Sequence, residues 1–344
     1  VLFARLGATA FGGPAAHIAM MHDEVVVRRQ WLTREEFLDL LGAANLIPGP
    51  NSTELAIHIG KRRAGWPGLL VAGTCFILPA AVLAGLCAWA YVAYGKLPHV
   101  VGALYGIKPV IIGIVCIALW DLVRTVLQSR TAAAIGLLSI ALTLAGMHEL
   151  LVLLLAAIAA AIPGIARSTT VLAVPGLWPI FWFFAKVGSV LYGSGYVLLA
   201  FLRGDLVERW HWLTEAQLLD AVAVGQFTPG PVFTTATFIG YLLGGTPGAI
   251  LATLGIFAPA FVFVAISGPL VPRLRRSPTA SAVLNGVNAA SLALMAVVTY
   301  RLGLAALIDV PTVLLAVAST AALIRFRVNA AWLVLAGAIL GWLL

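Results

Sequence analysis

Apolar runs divide the chain. Counting runs of about 17 to 25 residues, the length that spans roughly 30 Å of hydrocarbon, gives segments near 1–20, 40–60, 66–94, 100–127, 131–147 and 149–166. A second set follows near 178–202, 221–241, 247–271, 280–303, 310–324 and 329–344. Between the first two runs lies the amphipathic link "HDEVVVRRQWLTREEFLD", in which Trp31, and Trp212 in its second copy, precede Leu-Thr at what reads as a helix cap. That pattern predicts a helix lying in the interface. The expected fold is therefore an all-α polytopic integral membrane protein.

The two sets match residue by residue. "FARLGATAFGG" from Phe3 aligns with "FAKVGSVLYGS" from Phe184, "RRQWLTREEFLDL" with "RWHWLTEAQLLDA", and "IPGPNST" with "TPGPVFT", all at an offset of 181. Further on, "WPGLL" pairs with "TPGAI", Pro79 with Pro259 and Gly106 with Gly286, at an offset of 180. A repeat of this length indicates duplicated membrane halves, divided here as an N-terminal repeat, 1–170, and a C-terminal repeat, 171–344. Equivalent loops carry opposite charge. "KRRAG" (Lys61, Arg62, Arg63) answers the uncharged "LLGGTPG", whereas Lys96 answers Arg273, Arg275 and Arg276. Arg124 and Arg130 likewise answer Asp309, and Arg325 and Arg327 mark the next loop of the second half. Because Lys and Arg accumulate on the cytoplasmic side, the halves are expected to be inverted, each crossing an odd number of times through broken or re-entrant helices.

Composition narrows the class. Of 344 residues, 62% are hydrophobic and 10% charged, with a mean hydropathy of +1.04; a soluble globule would carry roughly a quarter charged residues. The net charge of +8 sits between apolar runs, with no soluble stretch long enough to grip a nucleic acid. Cys75, Cys87 and Cys116 lie inside apolar runs without metal-ligand spacing, as buried inert thiols do. His17, His22, Asp23 and Glu24 match no metal motif, and the second half has Leu198, Arg203, Gly204 and Asp205 there; no metal or other cofactor is expected. His17 or Glu24 as a proton-handling group stands beside the plainer reading of a solvated interface residue. There is no P-loop and no Ser-His-Asp order, so neither catalysis nor ATP hydrolysis is expected. The chain begins at Val1 rather than Met, so a short preceding piece is expected, and no signal peptide is recognisable.

Four breaks interrupt the runs in two matched pairs. "FGGP" (Phe11, Gly12, Gly13, Pro14) answers "YGSG" (Tyr192, Gly193, Ser194, Gly195), and Pro48-Gly49-Pro50 answers Pro229-Gly230-Pro231. Unpaired backbone at membrane depth costs several kcal/mol per group, and paired broken helices point to a transport site at the repeat interface. Gly49-Pro50 and Gly230-Pro231 read as an N-cap followed by proline at the first helical position. The first turns then hold Asn51, Ser52 and Thr53 in one half and Thr234 and Thr235 in the other. Helix N-termini carry about half a positive charge; two of them across a pseudo-twofold would bind a small tetrahedral oxyanion. Arg5, Lys186 and Lys108 are cations within apolar runs, which face a pathway or a partner, or in the case of Arg5 snorkel to an interface.

The stretch from "FGGPAAHIAMMHDEVVVRRQW" to "LIPGPNSTELAIHIG", with its copy ending "FTPGPVFTTATFIGYLLGG", resembles the chromate ion transporter family in its long, two-domain form over nearly the whole chain. Its motif positions fall here on Phe11, Gly12, Gly13, Pro14, Met20, Met21 and His22, and on the two Pro-Gly-Pro triplets. His17 stands where the family often has an amide, and the second copy reads "YGSG" rather than "FGGG". The resemblance implies a multi-pass carrier of a bacterial-type inner membrane that exports chromate and recognises sulfate as an analogue. Uptake of sulfate or another oxyanion, and an anion channel using the same donors, remain alternatives. A membrane enzyme such as a chromate reductase would need a redox centre that three scattered cysteines do not supply. The expected partners are the oxyanion and the lipid bilayer, and the sequence allows a homodimer.

Overall fold

A computed structural model describes residues 1–10, 13–95, 97–126, 130–144, 152, 155, 176–191, 198–267, 278–326 and 330–343. Among these the regular structure is helical, without a strand. Helix α1 (Leu2–Thr9) stops at Ala10, and α2 (Gly13–His22) runs straight into a π-helical turn, Asp23–Arg28. The second half repeats this with α7 (Leu177–Val190), α8 (Leu198–Leu202) and a π-helical turn, Arg203–Arg209.

The amphipathic link then forms its helix in both copies. In α3 (Arg34–Ala44) the Thr33 hydroxyl accepts from the Glu36 N–H at 3.1 Å and the Glu36 carboxylate accepts from the Thr33 N–H at 2.9 Å. In α9 (Glu215–Phe227) Thr214 and Gln217 make the same capping box at 3.2 and 2.9 Å, satisfying two otherwise orphaned donors at each helix start. The Thr33 N–H, and after it the Arg62 guanidinium at 2.8 Å, hold the Glu36 carboxyl below the ordinary carboxylate range.

The expected separate spans 40–60 and 66–94 are instead one helical hairpin. Residues 40–44 belong to α3, whereas α4 (Asn51–Tyr94) folds back on itself where Ala64 (φ −144°) and Gly65 (φ +62°) leave helical geometry. Its arms touch at glycines: a Cβ on Gly60 would lie 2.3 Å from the Gly68 carbonyl oxygen. Arm 51–63 is roughly 20 Å long at 1.5 Å per residue, too short to cross about 30 Å of hydrocarbon. It is the re-entrant element, and arm 66–94 is the span. The second half corrects 221–241 in the same way: α10 (Thr235–Ser267) turns back at Gly244 and Gly245 with matching dihedrals, and Gly240 meets the Gly248 carbonyl.

The long arms run antiparallel. The Lys61 ammonium, beside the first hairpin turn, donates to the carbonyls of Val264 (3.0 Å) and Ala265 (2.8 Å) near the end of α10. At the other end the Tyr91 and Phe238 rings meet at 5.4 Å, and Trp89, Tyr241 and Thr246 line one groove. The two turns therefore lie at opposite ends of the α4/α10 pair. Helix α5 (Pro98–Val126) packs against the last three helices of the second half, α11 (Pro278–Ala306), α12 (Val310–Phe326) and α13 (Ala330–Leu343). Its tightest approach is to α13, through Gly102 and Gly106 on one side and Gly337 and Gly341 on the other; small residues four apart let membrane helices close on each other. α6 (Arg130–Leu144) packs on α11. Among the described residues three helical stretches, Asn51–Tyr94, Pro98–Ile117 and Val232–Ser267, are long and apolar enough to cross a membrane.

One test follows from this arrangement. Cysteines placed singly at Lys61 and Thr246, in a background without the native thiols, are expected to react with an impermeant maleimide from opposite sides of the membrane. Labelling from one shared side would refute the inversion.

Candidate functional site

The two Pro-Gly-Pro triplets meet the broken first helices of the opposite halves. The Gly49 N–H donates to the Leu191 carbonyl at 2.8 Å, and the Gly230 N–H donates to the Ala10 carbonyl at 3.0 Å. Ala10 and Leu191 are equivalent residues, each the last before its break, so the pair of bonds is reciprocal about a pseudo-twofold. Both glycines hold positive φ, +138° and +95°, where an L side chain is strained. Proline on either side removes donors and fixes φ, leaving each glycine N–H as the triplet's one available donor.

Helix starts fall one residue later than the sequence predicts. Pro50 (φ −79°, ψ 93°) and Pro231 (φ −64°, ψ 126°) are the caps rather than the first helical residues. In the second half a 3₁₀ turn, Val232–Thr234, comes before α10. This turn explains the change of offset from 181 to 180: three 3₁₀ residues at about 2.0 Å rise cover the same roughly 6 Å as four α residues at 1.5 Å. Counted back from the matched Gly60 and Gly240, Glu54 is the counterpart of Thr234.

Of the expected hydroxyls, those of Ser52, Thr234 and Thr235 are committed and that of Thr53 is not. Ser52, Thr53, Thr234 and Thr235 are all buried. The Ser52 hydroxyl lies 3.2 Å from His17 Nδ1, and His17 Nε2 lies 3.0 Å from the Ala10 carbonyl, so His17 joins α2 to both the break and the α4 start. Thr234 and Thr235 donate back to Pro231 and Val232 carbonyls at 2.8 Å. The Thr53 hydroxyl and both Glu54 carboxyl oxygens have no hydrogen-bond partner among the described residues. Asn51, at the α4 start, donates to the Asn45 side chain at 2.7 Å. Gly13 and Pro14 open α2; Phe11, Gly12, Tyr192, Gly193, Ser194 and Gly195 lie outside the described residues.

Each cation has a carboxylate. Arg5 pairs with Glu24, and Lys186 pairs with Asp205, residues equivalent at the 181 offset. Glu24 also meets Arg29 at 3.1 Å and Arg28 at 3.7 Å, as Asp205 meets Arg209 at 3.5 Å. The Lys186 ammonium sits over the rings of Phe183 and Trp210, at 5.3 and 5.7 Å. Lys108 lies 3.4 Å from Asp220, which accepts from the Tyr91 hydroxyl at 2.8 Å; this trio ties α5, α9 and α4 together across the halves. Sequence reasoning assigned Glu24 to the interface and passed over Asp205, Asp220 and Tyr91. The usable clue was that Arg5/Lys186 and Glu24/Asp205 share one offset.

A cleft of about 530 Å³ reaches the first ion pair from outside, lined by Arg5, Leu6, Thr9, Met20, Glu24 and Arg28 among others. Arg5 and Arg28 remain half or more exposed in it. Two guanidinium groups, Arg5 and Arg28, and two carboxylates, Asp23 and Glu24, line it together. Among the described residues no cluster of His, Cys, Asp and Glu could hold a metal ion.

A family model described as chromate transporter matches residues 1–162 and 178–342. The chain is 33% identical to the chromate transport protein of Cupriavidus metallidurans over 361 residues, covering 98% of this chain and 90% of that one. It is 33% identical to a probable chromate transport protein of Synechococcus elongatus (91% and 86% covered) and 30% identical to the chromate transport protein of Pseudomonas aeruginosa (99% and 90%). No solved structure matches.

Proposed function

This chain belongs to the chromate transporter family, and from that premise we propose that it is a secondary carrier that exports chromate across a bacterial-type inner membrane by alternating access. The observation that carries this reading is the reciprocal Gly49–Leu191 and Gly230–Ala10 pair. It ties each Pro-Gly-Pro helix start, whose first backbone N–H groups have no intrahelical partner, to the end of the opposite half's first helix, and His17 links the Ala10 carbonyl to Ser52 at the other start. The repeats, 1–170 and 171–344, act as the two bodies that rock about this interlock. Sulfate, with the same tetrahedral shape and charge, competes. Asn51, Ser52, Thr53, Thr234 and Thr235 line the anion's place, Thr53 already without a partner among the described residues and the others once Asn45, His17 and the backbone carbonyls release them. Arg5, Lys186 and Lys108 supply positive field from behind their carboxylates.

The test is chromate flux in proteoliposomes, with and without excess sulfate, under imposed voltages and pH gradients. Saturable outward-directed flux blocked by sulfate is expected; single-channel currents without saturation would favour a channel instead. Ser52→Ala is expected to weaken apparent chromate affinity about tenfold, since a hydrogen bond to a charged group contributes roughly 1.5–3 kcal/mol. Unchanged affinity in Ser52→Ala, Thr234→Ala and Lys186→Ala together would remove this site.

A further inference from the structure

Glu54 is the one acidic side chain in the first turn of α4, and it is 0% exposed. Neither carboxyl oxygen has a hydrogen-bond partner among the described residues. The carboxyl folds back over the helix start: Oε1 lies 2.2 Å from where a Cβ on Gly49 would stand. A bare carboxylate so enclosed is prohibitively costly, and such a group is neutralised instead. Charges within membrane segments mark ion or proton paths unless they are paired. In the second half the same register position is Thr234, whose hydroxyl is satisfied by the Pro231 carbonyl, so the duplication carries this group once.

We propose that Glu54 is a proton-binding site linked to the anion: it holds one proton in the enclosed form described here, in which the adjacent helix start takes the oxyanion, and loses that proton when the helix start opens to water and the anion leaves. This rests on the reading of that helix start as the oxyanion site. The proton adds to a carboxylate oxygen from the water on the side then open, and returns to water on the other side. Neutral Glu54 leaves the helix-start field to the anion, while ionised Glu54 opposes it at short range. By linkage each ligand tightens the other, so proton and oxyanion travel together, one proton per cycle.

Other titratable groups surround α4 and are separable from Glu54. They are Arg5 on α1, His17 and His22 on α2, Arg34, Glu35, Glu36 and Asp39 on α3, Glu215 and Asp220 on α9, and Tyr241 on α10. On α4 itself His58 follows one turn on, buried, with Nε2 unpartnered; then come Lys61, Arg62 and Arg63 at the turn and Cys75, Cys87, Tyr91 and Tyr94 along the span. None of them hydrogen-bonds the Glu54 carboxyl.

The test is equilibrium binding of sulfate to the purified full chain across neutral pH, because sulfate stays dianionic there while chromate takes up protons itself. Wild-type affinity is expected to fall by up to tenfold per pH unit as pH rises, the limit for one linked proton. Glu54→Gln, nearly isosteric, is expected to bind sulfate with a flat pH profile, and His58→Gln is expected to keep the wild-type slope. A slope surviving in Glu54→Gln, or a flat wild type that still binds sulfate, overturns the linkage and leaves the oxyanion site standing. Absence of saturable sulfate and chromate binding in every form at every pH is the separate failure of the oxyanion reading, and it overturns the linkage with it.

Discussion

Gly230→Ala is expected to abolish chromate flux and to leave little folded protein, while Gly65→Ala lowers the melting temperature modestly and leaves flux near wild type. Both glycines have positive φ, so backbone conformation alone does not separate them. Surroundings do. A Cβ on Gly230 would stand 2.7 Å from the Ala80 Cβ and 2.8 Å from the Gly7 carbonyl oxygen, whereas nothing lies within 4 Å of one on Gly65. Gly65 (φ +62°, ψ −142°) sits in a region that is essentially confined to glycine, so Gly65→Ala carries backbone strain of about 1–3 kcal/mol without a clash. At Gly230, backbone strain of about 1–2 kcal/mol joins overpacking of about 1–3 kcal/mol. Displacing the Gly230 N–H from the Ala10 carbonyl, which keeps His17 Nε2, adds roughly 1–3 kcal/mol for the buried donor left unsatisfied. Together these approach the whole stability of a typical domain, about 5–15 kcal/mol. Thermal unfolding in detergent beside flux in proteoliposomes checks the pair. A stable, active Gly230→Ala would mean that the interlock is not needed for either folding or transport.

The second large effect is expected from Asp205→Asn, which removes the carboxylate from Lys186. Asp205 is buried and the Lys186 side chain is about a third exposed. Breaking a buried pair from one side costs about 3–5 kcal/mol, and the partial exposure of Lys186 places this case toward the lower figure. Replacing both partners, Lys186→Met with Asp205→Leu, is expected to restore the melting temperature, since an apolar substitute for a buried pair is often neutral or better. Flux is expected to stay lost in the double variant, because the cation is still missing. Recovery of flux together with stability would assign this pair to architecture alone and remove Lys186 from the anion's surroundings.

The backbone-driven features were legible in the sequence. Paired Gly and Pro at 11–14, 48–50 and 229–231 act through φ, lost donors and missing side chains, effects that need no knowledge of neighbours, and the 181-residue register exposed the duplication. The charge bias of "KRRAG" anticipated a turn that the structure places beside the end of α10. What was hidden depended on pairing in space. Counting apolar residues from 40 to 60 ran α3 into a re-entrant arm, because the Leu40–Ala44 stretch and Leu55–Ile59 are both largely apolar while the chain turns between them. Glu24 looked interfacial beside His22 and Asp23, since nothing local shows that a π-turn aims it at Arg5. Glu54 drew no notice in the sequence, where an acidic residue in a helix's first turn simply favours the dipole, because sequence gives no measure of enclosure.

The reciprocal bonds between halves also set an order of events during synthesis. The Ala10 carbonyl and the Gly49 N–H belong to the first half and find Gly230 and Leu191 only in the second. A ribosome adding about 5–20 residues per second takes roughly 10–40 s to make the intervening 180 or so residues. Through that interval the inserted first half holds the Gly49 N–H open, costing several kcal/mol if left in hydrocarbon, while the Ala10 carbonyl has His17 alone. The nascent half must keep its break hydrated or shielded by the insertion machinery until its other half arrives.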